Sequence, residues 1–231
     1  DSSGQVTGEF IAIFDADFVP RPDFLRRLIV DYAVFEDPAV GFVQTRWSFI
    51  NRDESWLTRT QSVMHDMHFI IEQSARNGNG LYFNFNGSGG IWRRTCIDDA
   101  GGWSADTLAE DLDLSYRAEL RGWRGVYFPY EIAPNELPVT MMAFKRQQTR
   151  WARGSIQCAR KLIPRVLIKP ATLLQKISAV MHMANYSLHL ALVMFVLLYP
   201  FVVYFMWRGM LRLPLWINIL SPLCLSYVAG L

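Results

Sequence analysis

Cysteine is scarce: the 231 residues hold three, Cys96, Cys158 and Cys224. An odd, sparse count argues against a disulfide-stapled secreted scaffold and fits a reducing compartment. No internal repeat is visible. With 51% hydrophobic and 14% aromatic residues, the chain is not a disordered tail. Acid is missing from the whole C-terminal part. All 21 Asp and Glu lie within residues 1–136, beside 12 bases, for a net −9. Residues 137–231 carry 11 bases and no acid. From Ile177 to Trp207 there is no charged residue of either sign. A water-soluble domain seldom segregates charge in this way.

The uncharged run exceeds the ~20 residues needed to cross a bilayer. It predicts one full membrane span at about 180–207. A second uncharged stretch predicts a truncated span at about 213–231. A buried core helix is the alternative, but such a helix seldom runs beyond ~25 residues without a charge. His182, Asn185 and His189 share one helical stripe that would face other helices. Nine bases lie between Lys145 and Lys176, ahead of the first span, against two after it. The positive-inside rule then puts residues 1–176 in the cytoplasm. That basic segment adjoins a span, which favours anionic lipid headgroups over nucleic acid as its partner. The chain also reads as N-terminally incomplete, because it opens on Asp1 and 8–14 already looks like a central strand.

Residues 10–14, Phe-Ile-Ala-Ile-Phe, form a continuous apolar run, as in a strand buried on both faces. Residues 40–44 and 125–128 are further strand candidates, and 81–85 an aromatic strand within a Gly/Asn-rich loop. Helical spacing appears at 24–32. Trp56, Thr60, Val63, Met64, Met67, Ile70 and Ile71 mark one face of an amphipathic helix. Residues 112–120 read as a helix closed by Gly122. Strands alternating with helices imply an α/β domain with a partly parallel sheet.

Four constellations carry chemistry. Asp15-Ala16-Asp17 ends a strand, where open α/β sheets bind ligands. Two carboxylates on a turn can hold Mg²⁺ or Mn²⁺ while substrate phosphates complete the shell; the bland alternative is a helix-capping turn. Ala109-Glu110-Asp111 precedes a helix and follows the loop Gly101-Gly102-Trp103. Its acids either cap that helix or supply a general base for an attacking hydroxyl. Gln147-Gln148-Thr149-Arg150-Trp151 sets Gln147 and Trp151 on one helical face. An exposed indole suits a sugar ring, and Gln and Arg can bond hydroxyls or phosphate. The same segment, 141–176, also reads as an interfacial amphipathic helix. There Arg146, Arg150, Arg153, Gln157 and Arg160 form a basic stripe, and Ala152, Ile156, Ala159 and Ile163 an apolar one. Asn86-Gly87-Ser88-Gly89-Gly90 is a weak signal for close approach of backbone to a ligand.

The order Asp-x-Asp, Phe-Asn-Gly-Ser, Glu-Asp and Gln-x-x-Arg-Trp, followed by membrane spans, resembles processive family 2 glycosyltransferases, including cellulose synthase. It is most similar to the cellulose-synthase-like mannan and glucan synthases. The resemblance runs from about Gly8 to about Lys169. It includes Gln44-Thr45-Arg46-Trp47, Asn51-Arg52-Asp53 and Gly101-Gly102-Trp103. It implies a GT-A (Rossmann-like) catalytic domain over 1–140, facing the cytoplasm. It implies an integral membrane protein of a plasma, inner or Golgi-type membrane, with accessory subunits among its partners. Asp15 and Asp17 would bind the metal and the nucleotide-sugar diphosphate, with Gln147 and Arg150 completing the donor site. Asp111 would be the general base, with Glu110 beside it. Trp151, Asn86, Gly87, Ser88 and Trp103 would border the polysaccharide acceptor. The implied reaction is inverting transfer of a hexose, from UDP-glucose or GDP-mannose, onto a β-linked polymer.

This chain departs from the family at Ala109, where a Thr is usual. That leaves room for a catalytically impaired membrane subunit, and non-processive transfer to a lipid acceptor also stays open. A phosphatase of the haloacid-dehalogenase type shares the strand-Asp-x-Asp start. It needs a later Lys or Arg followed by more acids; all four lysines follow the last acid, Glu136, so only an Arg could serve. It also leaves Gln147–Trp151 without a role.

Overall fold

The computed structural model describes residues 7–210. The expected second span at 213–231 lies outside the described residues. A four-stranded mixed sheet, in the order β1-β3-β2-β4, is built from β1 (Phe10–Ile13), β2 (Val40–Phe49), β3 (Gly90–Arg93) and β4 (Arg124–Asn135). β3 runs antiparallel to both β1 and β2, and only β2 and β4 are parallel. β1 sits at an edge and is half-buried, not buried on both faces as its apolar run suggested, because among the described residues only β3 pairs with it.

Residues 81–85 join no ladder among the described residues. The N–H of Phe83 donates to the Glu119 carboxylate and that of Phe85 to Ser115 Oγ. Side chains of the helix α5 (Glu110–Arg121) thus take the place of a neighbouring strand. Gly122 closes that helix in the left-handed conformation, as its sequence predicts.

On one face of the sheet, Phe24 and Leu28 cover Val40, Val43 and Ile91. They belong to α1 (Phe24–Arg26) and the π-helical turn that continues it, Arg27–Asp31. On the other face Phe42, Phe69, Phe83, Phe85, Trp92 and Leu114 pack together. Phe69 comes from a continuous rod of α2 (Trp56–Asp66), a π-helical stretch (Met67–Gln73) and α3 (Ser74–Gly78). The short α4 (Arg94–Asp99) follows β3 directly.

The rod is oriented against its own hydropathy. Trp56, Val63, Met64, Met67, Ile70 and Ile71 are exposed, while Thr58, Gln61, Ser62 and Gln73 are buried. The polar side turns inward because it has partners there: Gln61 Nε2 donates to the Pro138 carbonyl and Gln73 Nε2 to the Asn84 carbonyl.

A third cluster joins α5 to α6 (Met141–Ile168) and α7 (Leu173–Met183) through Leu112, Tyr116, Cys158, Leu162, Val166 and Met183. This corrects the interfacial reading of 141–176 in part. Ala159 is buried and Ile163 packs on the same cluster, so much of the expected lipid-facing stripe is covered by protein. The expected span at 180–207 is also divided. α7 stops at Met183, where Ser155 Oγ donates to the Met183 carbonyl and His182 Nδ1 meets Tyr116 Oη at 2.8 Å. These polar contacts bind its end to the domain.

Among the described residues, those from 184 to 210 form a separate unit. Its helix α8 (Ser187–Trp207) has 21 residues, a mean hydropathy of 2.3 and no buried residue. By length and composition it can cross a membrane.

Candidate functional site

The carboxyl ends of β1 and β4, the N-terminus of α5 and the first turns of α6 surround a cleft of about 160 Å³. Asn86 and Gly87 line it, and the segment 86–89 that carries them is tied to β2. Gln44 Oε1 accepts the N–H of Asn86, Gln44 Nε2 and Trp47 Nε1 donate to the Ser88 carbonyl, and Thr45 Oγ1 donates to that of Gly89. Ser88 is fully buried beneath the cleft, and its Oγ accepts the N–H of Asp15 at 2.8 Å. Ser88 therefore shapes the Asp15 turn from below.

Asp15 and Asp17 both line the cleft. The Asp15 carboxyl is pushed above its ordinary range, first by burial and then by the charge of Asp17; Arg150 pulls it back and Glu110 adds to the rise. Crowded carboxylates of this kind fit a hard divalent cation, which would relieve the repulsion. No three His, Cys, Asp or Glu side chains cluster as a ligand set among the described residues, so oxygens of the substrate would have to complete the shell.

Glu110 and Asp111 open α5, and both line the cleft. Acids suit a helix N-terminus, yet the Asp111 carboxyl is pushed up to about 7. Burial is the main cause and outweighs the backbone N–H of Leu112, while Glu110 raises the value and Arg150 lowers it. A carboxylate poised near neutrality can both accept and release a proton. Gly87 keeps its surroundings clear: a Cβ there would stand 3.2 Å from Asp111 Oδ2, and its φ of +84° is itself unfavourable for side chains.

Ala109 is the N-cap of α5 and supplies no side-chain cap. α6 braces the turn instead. Gln157 Oε1 accepts the N–H of Leu108, Cys158 Sγ donates to the Ala109 carbonyl, and Gly154 lies directly against Ala109. The hydroxyl expected from a Thr is thus replaced by packing and hydrogen bonds from the neighbouring helix.

α6 contributes Gln147, Arg150 and Trp151 to the cleft. Trp151 meets His65 edge to face, with 5.8 Å between ring centroids, and His65 also contacts Trp47 and Phe49. Burial, with His68 nearby, pushes the His65 imidazole down to about 4, so it is neutral at physiological pH. The result is one aromatic wall beside an acidic one.

Among the described residues, three buried polar atoms of cleft residues lack a hydrogen-bond partner: Asn86 Nδ2, Asn135 Oδ1 and Gln147 Oε1. Buried polar atoms are ordinarily satisfied. One donor and two acceptors beside an aromatic wall make a surface suited to hydroxyl groups.

Of the residues singled out from sequence, Asp15, Asp17, Asn86, Gly87, Glu110, Asp111, Gln147, Arg150 and Trp151 line this cleft together. Ser88 lies under it. Trp103 does not line it; that indole packs edge-on against Trp92, 6.2 Å between centroids. Sequence reasoning missed His65, Asn135 and the stretch Glu136–Pro138. Asn135 ends β4 and 136–138 follow it directly, a position that the shorter strand expected from sequence, 125–128, did not reveal.

Residues 10–231 match the family described as "Glycosyl transferase family group 2". Probable glucomannan 4-beta-mannosyltransferase 7 of Oryza sativa subsp. japonica is 46% identical over 169 residues, which cover 73% of this chain and 28% of that protein. Glucomannan 4-beta-mannosyltransferase 2 of Arabidopsis thaliana is 45% identical over 159 residues, covering 69% and 29%. The chain thus spans less than a third of the length of these two relatives. Among solved structures, it is similar to mannosyltransferase PcManGT from Pyrobaculum calidifontis, in complex with GDP-Man and Mn²⁺. That likeness has a TM-score of 0.53 and 20% identity, over 90% of this chain and 61% of the other. Staphylococcus aureus TarS 1–349 in complex with UDP-GlcNAc gives 0.51 and 14%, over 80% and 50%. At such identities the likeness is one of fold, and the fold is GT-A-like.

Proposed function

The chain belongs to glycosyl transferase family group 2, and from that premise we propose that it carries the catalytic residues of an inverting mannosyltransferase that extends a β-linked polysaccharide. The observation that carries this reading is the convergence of Asp15, Asp17, Asp111, Arg150 and Trp151 on one cleft. The names of the relatives favour mannose over glucose as the transferred sugar.

In this mechanism Trp151 stacks the terminal acceptor sugar, and the aromatic wall around His65 holds the indole plane. Asp111 accepts the proton of the attacking hydroxyl. That oxygen bonds to the anomeric carbon as the bond to the diphosphate breaks, and the electron pair leaves with the phosphate. A single displacement turns an α-linked donor into a β-linked product. Asp15 and Asp17 would hold a divalent cation, Mg²⁺ or Mn²⁺, which when bound offsets charge on the leaving diphosphate. Arg150 contributes a fixed positive charge on the same side. Glu110 raises the basicity of Asp111 by its own charge. The domain would face the cytoplasm, with α8 crossing the membrane.

The test is transfer by the full-length protein in membranes, offering GDP-mannose and UDP-glucose separately, with linkage analysis of the product. A β-linked mannan from GDP-mannose is expected. Product from UDP-glucose alone overturns the choice of sugar, and no product from either overturns the activity. Chelation with EDTA is expected to remove transfer, with recovery on adding Mn²⁺ or Mg²⁺. Asp17→Asn should shift the metal concentration for half-maximal rate upward by about tenfold or more, since one of two protein carboxylates is lost. Full activity in EDTA overturns the metal site.

A further inference from the structure

The cleft is supported from behind by a chain of side chains that the mechanism above does not use. His68 lies in the π-helical stretch, a widened turn of the kind often found near functional sites. Its Nδ1 is 2.9 Å from Glu72 Oε2, and its Nε2 is 2.9 Å from Asn86 Oδ1. Glu72 is in turn held by Arg76, whose Nε donates to Glu72 Oε1 at 2.9 Å. Burial alone would raise the Glu72 carboxyl, but the hydrogen bond and charge of His68 hold it well below the usual carboxylate range. A carboxylate and an amide oxygen can only accept, so Nδ1 donates to Glu72 and Nε2 to Asn86; both ring nitrogens carry a proton in this arrangement, and the two bonds fix the ring in plane.

Asn86 sits at the front of this chain. Its backbone N–H is taken by Gln44, and its Oδ1 also receives the Asn84 amide at 3.0 Å. Its oxygen therefore faces inward, towards two residues of the supporting layer. Its Nδ2 is buried, lacks a partner among the described residues and belongs to a cleft-lining side chain.

We propose that His68, anchored by Glu72, is a positioning residue that turns the Asn86 amide so that its N–H₂ end is offered to a hydroxyl of the acceptor sugar. The inference rests on the reading of the cleft as a glycosyl-transfer site, and it adds which end of Asn86 reads the acceptor and what holds it there. Without the inward contacts an amide can rotate and present its oxygen, which pairs differently with a hydroxyl.

The experiment uses the full-length protein in detergent and a β-1,4-linked manno-oligosaccharide as probe. Oligosaccharide binding is read from quenching of tryptophan fluorescence, and KM is measured for acceptor and nucleotide sugar separately. His68→Phe and Asn86→Asp should each weaken oligosaccharide binding and raise acceptor KM by about tenfold, the effect of one lost hydrogen bond, with donor KM changed by less than about twofold. His68→Gln keeps an N–H donor towards the Asn86 oxygen and should bind within about threefold of the parent; it also serves if His68→Phe does not fold. The double variant His68→Phe/Asn86→Ala should bind no more weakly than Asn86→Ala alone. Parental binding by Asn86→Asp overturns the inference, because the oxygen end would then serve the ligand. So does additivity in the double variant, or His68→Phe and His68→Gln losing binding alike. If the parent protein does not bind the oligosaccharide, the inference is likewise overturned. If it binds but transfers no sugar, the activity reading fails while the binding comparison still decides the role of His68.

Discussion

Replacing Asp111 with Asn should cut glycosyl transfer by about 10²- to 10⁴-fold, the range for loss of a general base. The same variant should unfold at a higher temperature above neutral pH. Both effects have one origin. Burial lifts the Asp111 carboxyl from an ordinary 3.8 to about 7, so the folded protein holds this proton more tightly than the unfolded chain does. That contribution to stability is complete below pH ~4 and is lost as pH rises through about 7. Above that pH the buried charge costs on the order of 4 kcal/mol, at about 1.4 kcal/mol per pH unit. Asn removes the cost. Thermal unfolding of parent and variant should therefore converge near pH 4 and diverge at pH 8. The parental rate should fall as pH drops through about 7, because only the carboxylate accepts the acceptor proton. A variant with unchanged turnover, or a rate flat from pH 5 to 8, would remove Asp111 from the base role.

Gly154→Ala is the second large effect. A Cβ at this position would stand 2.6 Å from the Ala109 nitrogen and 2.7 Å from the Ala109 Cβ. In an isolated helix the change to Ala stabilises by about 1 kcal/mol. Here α6 and the Leu108–Ala109 turn must move apart, and such overpacking costs about 1–3 kcal/mol. The turn carries Glu110 and Asp111, and α6 carries Arg150 and Trp151. The substitution therefore separates the base from the groups opposite it. A displacement near 1 Å can cost about 100-fold in rate, and kcat should fall by that order with a modest drop in unfolding temperature. Gly78→Ala is the control, since nothing lies within 4 Å of its added Cβ. Parental kcat in Gly154→Ala would mean that the two elements are not coupled through this contact.

The rod at 56–78 illustrates where periodicity misleads. Its apolar stripe is real, yet the stripe faces outward and the polar side is buried. Hydropathy alone ranks Trp56 and Met67 as core and Gln61 and Gln73 as surface. Tertiary partners reverse that order, because Gln61 and Gln73 satisfy carbonyls of Pro138 and Asn84. The aromatic run 81–85 misleads in the same way: its strand-like composition is genuine, but α5 side chains hold two of its N–H groups.

By itself the amino-acid sequence determined the chemistry available. Strand-ending Asp15 and Asp17, the Glu110–Asp111 pair at a helix start, and Gln147, Arg150 and Trp151 on one helical face are local patterns, set by neighbours within a turn or two. Only the tertiary structure decided that these segments meet in one cleft, that Ala109 is braced by Gln157, Cys158 and Gly154, and that His65 and Asn135 belong to the lining. It also divided the uncharged run at Met183, where Tyr116 and Ser155 hold the end of α7. The physical reason is range. Helix periodicity and turn chemistry act over a few residues, whereas desolvation of Asp111 and the pairing of buried polar atoms depend on residues far apart in the chain.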